Sequence, residues 1–128
     1  MTRSIDPLSE AILPIQRYET TPRYSRAVAY NGMVFLAGQT ANDYGANIKA
    51  QTRQVLDKID VLLAQAGTDK SRILKTDVWL RHVEKDFAAM TEVWEAWSPP
   101  GTAPARSVME AKLLAPNALV EIVIVAAV

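Results

Sequence analysis

The sequence predicts an α+β domain, a mixed sheet with two helices packed on one face. Three observations lead there. An Asn31–Gly32 pair lies between two apolar stretches, the strongest two-residue signal for a β-hairpin. Two later segments carry apolar residues at three- and four-residue steps and stop at chain breakers. Strand-like stretches follow each of them, giving the order β-β-α-β-α-β-β with no short repeat or low-complexity run. Residues 1–128 fit one domain, because 128 residues suffice for a single sizeable core.

Residues 1–13 mix polar and apolar types without a period and read as an extended N-terminal arm. Pro14 and Pro22 bracket a stretch that can hold a short edge strand, since proline is confined to the edges and ends of sheets. Arg26–Tyr30 and Met33–Ala37 are expected to pair antiparallel across Asn31–Gly32, where a type I′ turn needs positive φ twice. From about Asn47 to Ala66, residues such as Ile48, Val55, Leu56, Ile59 and Leu63 mark one helical face, and Gly67 fits a C-terminal cap. Ile73, Val78, Trp79 and Leu80 belong to a strand. A second helix is expected from about Asp86 as N-cap, with Phe87, Met90, Val93, Trp94 and Trp97 turned inward, stopped by "SPPGTAP". Two strands, about Ala105–Leu113 and Leu119–Ala127, close the chain.

Met33–Ala37 and Val120–Val128 are nearly continuous apolar runs, the pattern of strands buried on both faces. Two helices cover one face of such a sheet. A second copy of the chain is the simplest cover for the other, so an obligate oligomer is expected.

Composition narrows the chemistry. Fourteen basic residues balance fourteen acidic ones, which gives no general attraction to nucleic acid or an anionic membrane. There is no cysteine, which removes disulfides and thiolate chemistry, and the single histidine leaves no zinc or iron site with enough ligands. His82 lies among Arg81, Glu84 and Lys85 and reads as a solvated loop residue. No phosphate-binding loop, dinucleotide fingerprint or nucleophile elbow is present. No apolar run reaches the roughly 20 residues of a membrane span, and no signal-peptide pattern opens the chain, so a soluble cytoplasmic protein is expected.

Two charges stand where core is expected. Arg106 follows a Pro-Ala corner at the mouth of one strand, and Glu121 interrupts "LVEIVIVAAV". One reading is an Arg–Glu ion pair between neighbouring strands that fixes register. The other puts Arg106 in a pocket, where its planar fork grips a carboxylate or phosphate. Tyr24 is open to the same two readings, as a packing residue or a pocket residue. At Gly38, the missing side chain would let a ligand approach backbone amides.

"RYSRAV…FLAGQT", "DKSRILKTDVWL", "KDFAAMTEVWEAW", "APARSVMEA" and "VEIVIVAAV" together resemble the YjgF/Rid (L-PSP) family of reactive-intermediate deaminases, from about residue 22 onward. The resemblance implies a chorismate-mutase-like fold, a homotrimer with clefts between subunits, and no cofactor. It implies that Arg106 binds the carboxylate of a 2-imino or enamine acid, while Tyr24 and Glu121 orient substrate and a water and Gly38 offers an amide. The products would be a 2-oxo acid and ammonia. Ala37 stands where many members have serine, Val108 where many have cysteine, and Thr91 where many have asparagine, which points to a YoaB-like branch. These three positions complete the expected substrate-binding set. The alternative is the same cleft used to hold a small carboxylate without turnover. An RNA-directed role, also attached to the family, sits poorly with the neutral charge.

Overall fold

The computed structural model describes residues 13–128; the expected N-terminal arm, apart from Leu13, lies outside the described residues. The chain forms strands β1 (Ile15–Thr20), β2 (Ser25–Tyr30) and β3 (Met33–Leu36), helix α1 (Ile48–Gln65), strand β4 (Ile73–Leu80), helix α2 (Val83–Trp97), and strands β5 (Ala105–Glu110) and β6 (Val120–Ala127). One mixed sheet results, in the order β1-β2-β3-β6-β4-β5, with β4 and β5 parallel and every other pair antiparallel.

Local signals explain the first half. Asn31 and Gly32 both adopt positive φ, 50° and 80°, which closes β2 onto β3 in the expected register. β1 is the sheet edge, between its two prolines. Asn47 caps α1 by accepting the Ala50 N–H at 2.9 Å. At the other end Gly67 takes φ 81°, and Gly67 and Thr68 donate to the Ala64 and Leu63 carbonyls, a Schellman ending.

The second helix departs from expectation. α2 begins at Val83, three residues before Asp86, with His82 in the N-cap position and no side-chain cap bond. Glu110 performs that role from β5, accepting the Val83 N–H at 3.1 Å. Asp86 is therefore inside the first turn, buried, where the positive helix end favours a carboxylate, and one of its oxygens has no partner. Phe87 is 41% exposed rather than inward. β5 also ends at Glu110, short of Leu113.

The segment leading into β6 has little regular structure and is held by side chains. Arg81 donates to the carbonyls of Leu113, Ala115 and Ala118 at 2.8–3.0 Å. Buried Gln51 donates to the carbonyls of Tyr44, Ala46 and Asn117 and accepts the Leu119 N–H. These bonds set the start of β6, and so the level of Glu121 in the sheet.

Both helices lie on one face. Leu36, Val34, Val78, Leu80, Ile122 and Ile124 are buried beneath them. The opposite face carries Val28, Phe35 and Val125 in one cross-strand row, with Trp79 and Met109 further along. Phe35 is 43% and Met109 56% exposed. The apolar runs of β3 and β6 are thus covered on one face only within a single chain.

Candidate functional site

Strand alternation decides where each charged group points. Arg106 pairs with Thr76, which pairs in turn with buried Ile124, so Arg106 and Val108 lie on the helix-covered face. There α2 offers two rings to the guanidinium. Its Cζ is 5.8 Å from the Phe87 ring centroid and 6.0 Å from that of Trp94, within cation–π range. Thr91 lies on the same stretch of helix surface, four residues after Phe87 and three before Trp94.

Three polar atoms at this place are buried without a hydrogen-bond partner: Arg106 Nη1, Thr91 Oγ1 and Thr76 Oγ1. Leaving such a group unsatisfied costs about 1–3 kcal/mol each. A guanidinium held by aromatic rings, with a donor withheld from the protein, has the hydrogen-bonding capacity to take an anion.

Glu121 is elsewhere. It pairs with Trp79, and Trp79 with Met109, all on the uncovered face. Its carboxylate lies against Gly38, so closely that a Cβ added there would collide with Glu121 Oε2. Paired bonds between Gln39 and Ile122, at 3.0 and 3.1 Å, hold the two segments together. No cation pairs with Glu121 among the described residues, and burial pushes its carboxyl pKa upward. Within a single chain Glu121 thus has burial acting against its charge and no paired cation among the described residues to offset it.

Tyr24 and Ala37 lie at this same end of the sheet, where β2 begins and β3 ends. Tyr24 is 44% exposed, and its carbonyl accepts from the Thr21 N–H and hydroxyl, which fixes the turn before β2. Ala37 spends both backbone groups: its N–H donates to Arg26 O, and its carbonyl accepts from Gln39 Nε2. The Gly38 N–H, by contrast, has no acceptor among the described residues.

The expected residues thus fall into two groups. Arg106, Thr91 and Val108 form one, on the helix face. Tyr24, Ala37, Gly38 and Glu121 form the other, with Glu121 on the open face. β4 separates β5 from β6, so the ion pair between neighbouring strands does not exist: the strands are not neighbours. Two strand spacings, about 10 Å, and the sheet itself lie between Arg106 and Glu121.

The aromatic bed under Arg106 was not anticipated, since Phe87 and Trp94 read as ordinary core. Their seven-residue spacing placed them on one helix face, but only the sheet order shows which strand that face meets. His82 is exposed, and no group of His, Asp and Glu among the described residues could hold a metal. No helix is long and apolar enough to cross a membrane.

Comparison with known proteins agrees with the resemblance. The family model described as endoribonuclease L-PSP matches residues 14–128. A RutC family protein of Haemophilus ducreyi is 44% identical over 114 residues, covering 89% of this chain and 97% of its own. The RutC family protein YoaB of Escherichia coli is 38% identical, covering 91% and 100%. The crystal structure of NMB1025, a YjgF family member from Neisseria meningitidis, superposes with a TM-score of 0.86 at 43% identity, over 89% of this chain and 94% of that one. A more distant relative, named Reactive Intermediate Deaminase A, chloroplastic, from Arabidopsis thaliana, is 32% identical over 77% of this chain and 55% of its own. With nearly all of its described length matched in sequence and in fold, the chain belongs to the L-PSP/YjgF (Rid) family, among relatives of the RutC and YoaB type.

Proposed function

We propose that the protein is a cofactor-free hydrolase of 2-imino and enamine acids, working in clefts between copies of itself in a homotrimer. The observation that carries this reading is the division of the site. Arg106 withholds a buried donor on one face, and Glu121, lying against Gly38, is on the other, at the end of the sheet where Tyr24 precedes β2. A small substrate touching both needs two chains, one supplying each half. The uncovered apolar row of Val28, Phe35 and Val125 supports an assembly that buries this face. The plant relative's name supports the reaction class.

The chemistry asks little of the protein. Arg106 holds the substrate carboxylate by paired, charge-assisted hydrogen bonds, which fixes the C=N carbon beside the neighbouring copy's Glu121. Water adds to that carbon and its proton passes to nitrogen. The resulting carbinolamine expels ammonia and leaves a 2-oxo acid, so the sum is imine plus water giving ketone plus ammonia. Glu121, with its pKa raised by burial, suits proton transfer nearer neutral pH than an ordinary carboxyl. The Gly38 N–H, without an acceptor among the described residues, and the Tyr24 hydroxyl can orient substrate. Val108 adds its main chain and Thr91 its unpartnered hydroxyl.

The test is ammonia release from a 2-iminopropanoate generated in situ, measured against spontaneous hydrolysis, with Arg106→Ala as control. No acceleration by the wild type would overturn the reaction. The same cleft would then be a binding site for a small carboxylate, a reading favoured by Ala37, which brings no side-chain hydroxyl to the Gly38 side. The neutral net charge lends no support to an RNA substrate.

A further inference from the structure

α1 packs on β3 and β6, which leaves the β1–β2 hairpin overhanging beyond the helix. The corner between helix flank and hairpin is a groove of about 420 Å³. None of its lining residues belongs to the site proposed above.

Its walls carry both signs of charge. Arg26 comes from β2 and Lys58 from α1, while Glu19 and Asp57 supply carboxylates from the same two sides. Much of their bonding capacity is unused. Arg26 meets Glu19 at Nε, at a long 3.5 Å. Lys58 donates one N–H to the Thr40 carbonyl at 2.9 Å and has no carboxylate within ion-pair distance among the described residues. Burial, and then the nearby Arg26 cation, hold the Lys58 pKa below its ordinary value. A bound carboxylate between the two would relieve that repulsion.

The remaining lining is polar at the bottom and apolar at the side. Gln39 is 2% exposed and spends its amide nitrogen on the Ala37 carbonyl, while its amide oxygen has no donor among the described residues. Gln54 uses its amide oxygen on the Asn42 and Asp43 N–H groups. Val61 and Leu62 form the apolar part. A simple anion would meet the two cations but be repelled by Glu19 and Asp57. A simple amine would face the reverse. A zwitterion satisfies both.

We propose that this groove binds a free aliphatic α-amino acid, its carboxylate between Arg26 and Lys58, its ammonium toward Asp57 and Glu19, and its side chain on Val61 and Leu62. The volume suits a small molecule with ordered water beside it.

The test is calorimetric titration of the full chain with leucine, 4-methylpentanoate and isopentylamine in parallel. Saturable leucine binding is expected. Arg26→Gln and Lys58→Gln should each weaken it at least about tenfold, the loss of one charge-assisted bond, with circular dichroism unchanged. Arg106→Ala should leave it intact, which separates this site from the deaminase cleft whether or not that reaction is found. The proposal is overturned if leucine does not saturate, if 4-methylpentanoate or the amine binds as tightly, or if Arg106→Ala rather than Lys58→Gln abolishes the heat.

Discussion

If Arg106 and Glu121 serve one reaction, they must do so from different copies, and mixing two dead variants should restore it. Arg106→Ala lacks the anchor and Glu121→Ala lacks the proton carrier, so each alone is expected to be inactive. Hydrogen bonds span about 3 Å, whereas about 10 Å of sheet width and the sheet itself separate the two groups within a chain. No side-chain rotation joins them. In an equal mixture that assembles at random, a cleft is complete when a Glu121→Ala copy supplies its intact Arg106 and an Arg106→Ala copy its intact Glu121. Each condition holds half the time, so about one quarter of the clefts should work, whatever the number of copies in a closed ring. The two variants would carry different affinity tags, be co-expressed and be purified through both tags in turn. Doubly tagged assemblies are enriched in mixed rings, so their ammonia release should reach or exceed that quarter of the wild-type rate. Doubly tagged assemblies with no more activity than the parents would refute the divided site.

Other consequences follow from the same geometry. Gly38→Ala should destabilise the fold by about 1–3 kcal/mol in urea unfolding, because its methyl overlaps Glu121; adding Glu121→Ala should recover most of that loss, and additive losses would show that the two do not touch. The raised Glu121 pKa means the folded chain holds a proton that the unfolded chain has released, so stability should fall as pH rises from the ordinary carboxyl range to the raised value; Glu121→Gln should remove that fall when midpoints are compared across pH. Phe35→Glu puts a charge in the middle of the uncovered row and should shift sedimentation toward the monomer with little change in circular dichroism. Asn47→Ala should lower stability by about 1 kcal/mol through loss of the α1 cap, read as a fall in thermal midpoint.

What the sequence revealed and what it concealed divide along the range of the interactions. Asn31–Gly32, Asn47 and Gly67 act on their immediate neighbours, and each does what its type implies. The start of α2 was misplaced because its cap is Glu110, twenty-seven residues away and bonded to Val83 across the fold. Alternation along each strand groups Arg106 with Val108 and Glu121 with Val123 and Val125. It could not say that these two sets face opposite ways, since that depends on β4 standing between β5 and β6. Phe87 and Trp94 were readable as a helix face but not as a bed for a guanidinium, for the same reason.

Arg81 and Gln51 give the stretch from Lys112 to Leu119 an unusual mechanical character. Its carbonyls are gripped by two side chains rooted in α1 and the end of β4, and Gln51 also holds the Leu119 N–H, so the stretch should resist protease although only that amide gains a side-chain bond that slows its exchange. The grip is geometric as well as ionic. A lysine at position 81 would keep the charge but lose the planar fork that reaches three acceptors at once. The slack would then travel down the backbone into the first residues of β6 and unseat the carboxylate there, although nothing near it had been altered.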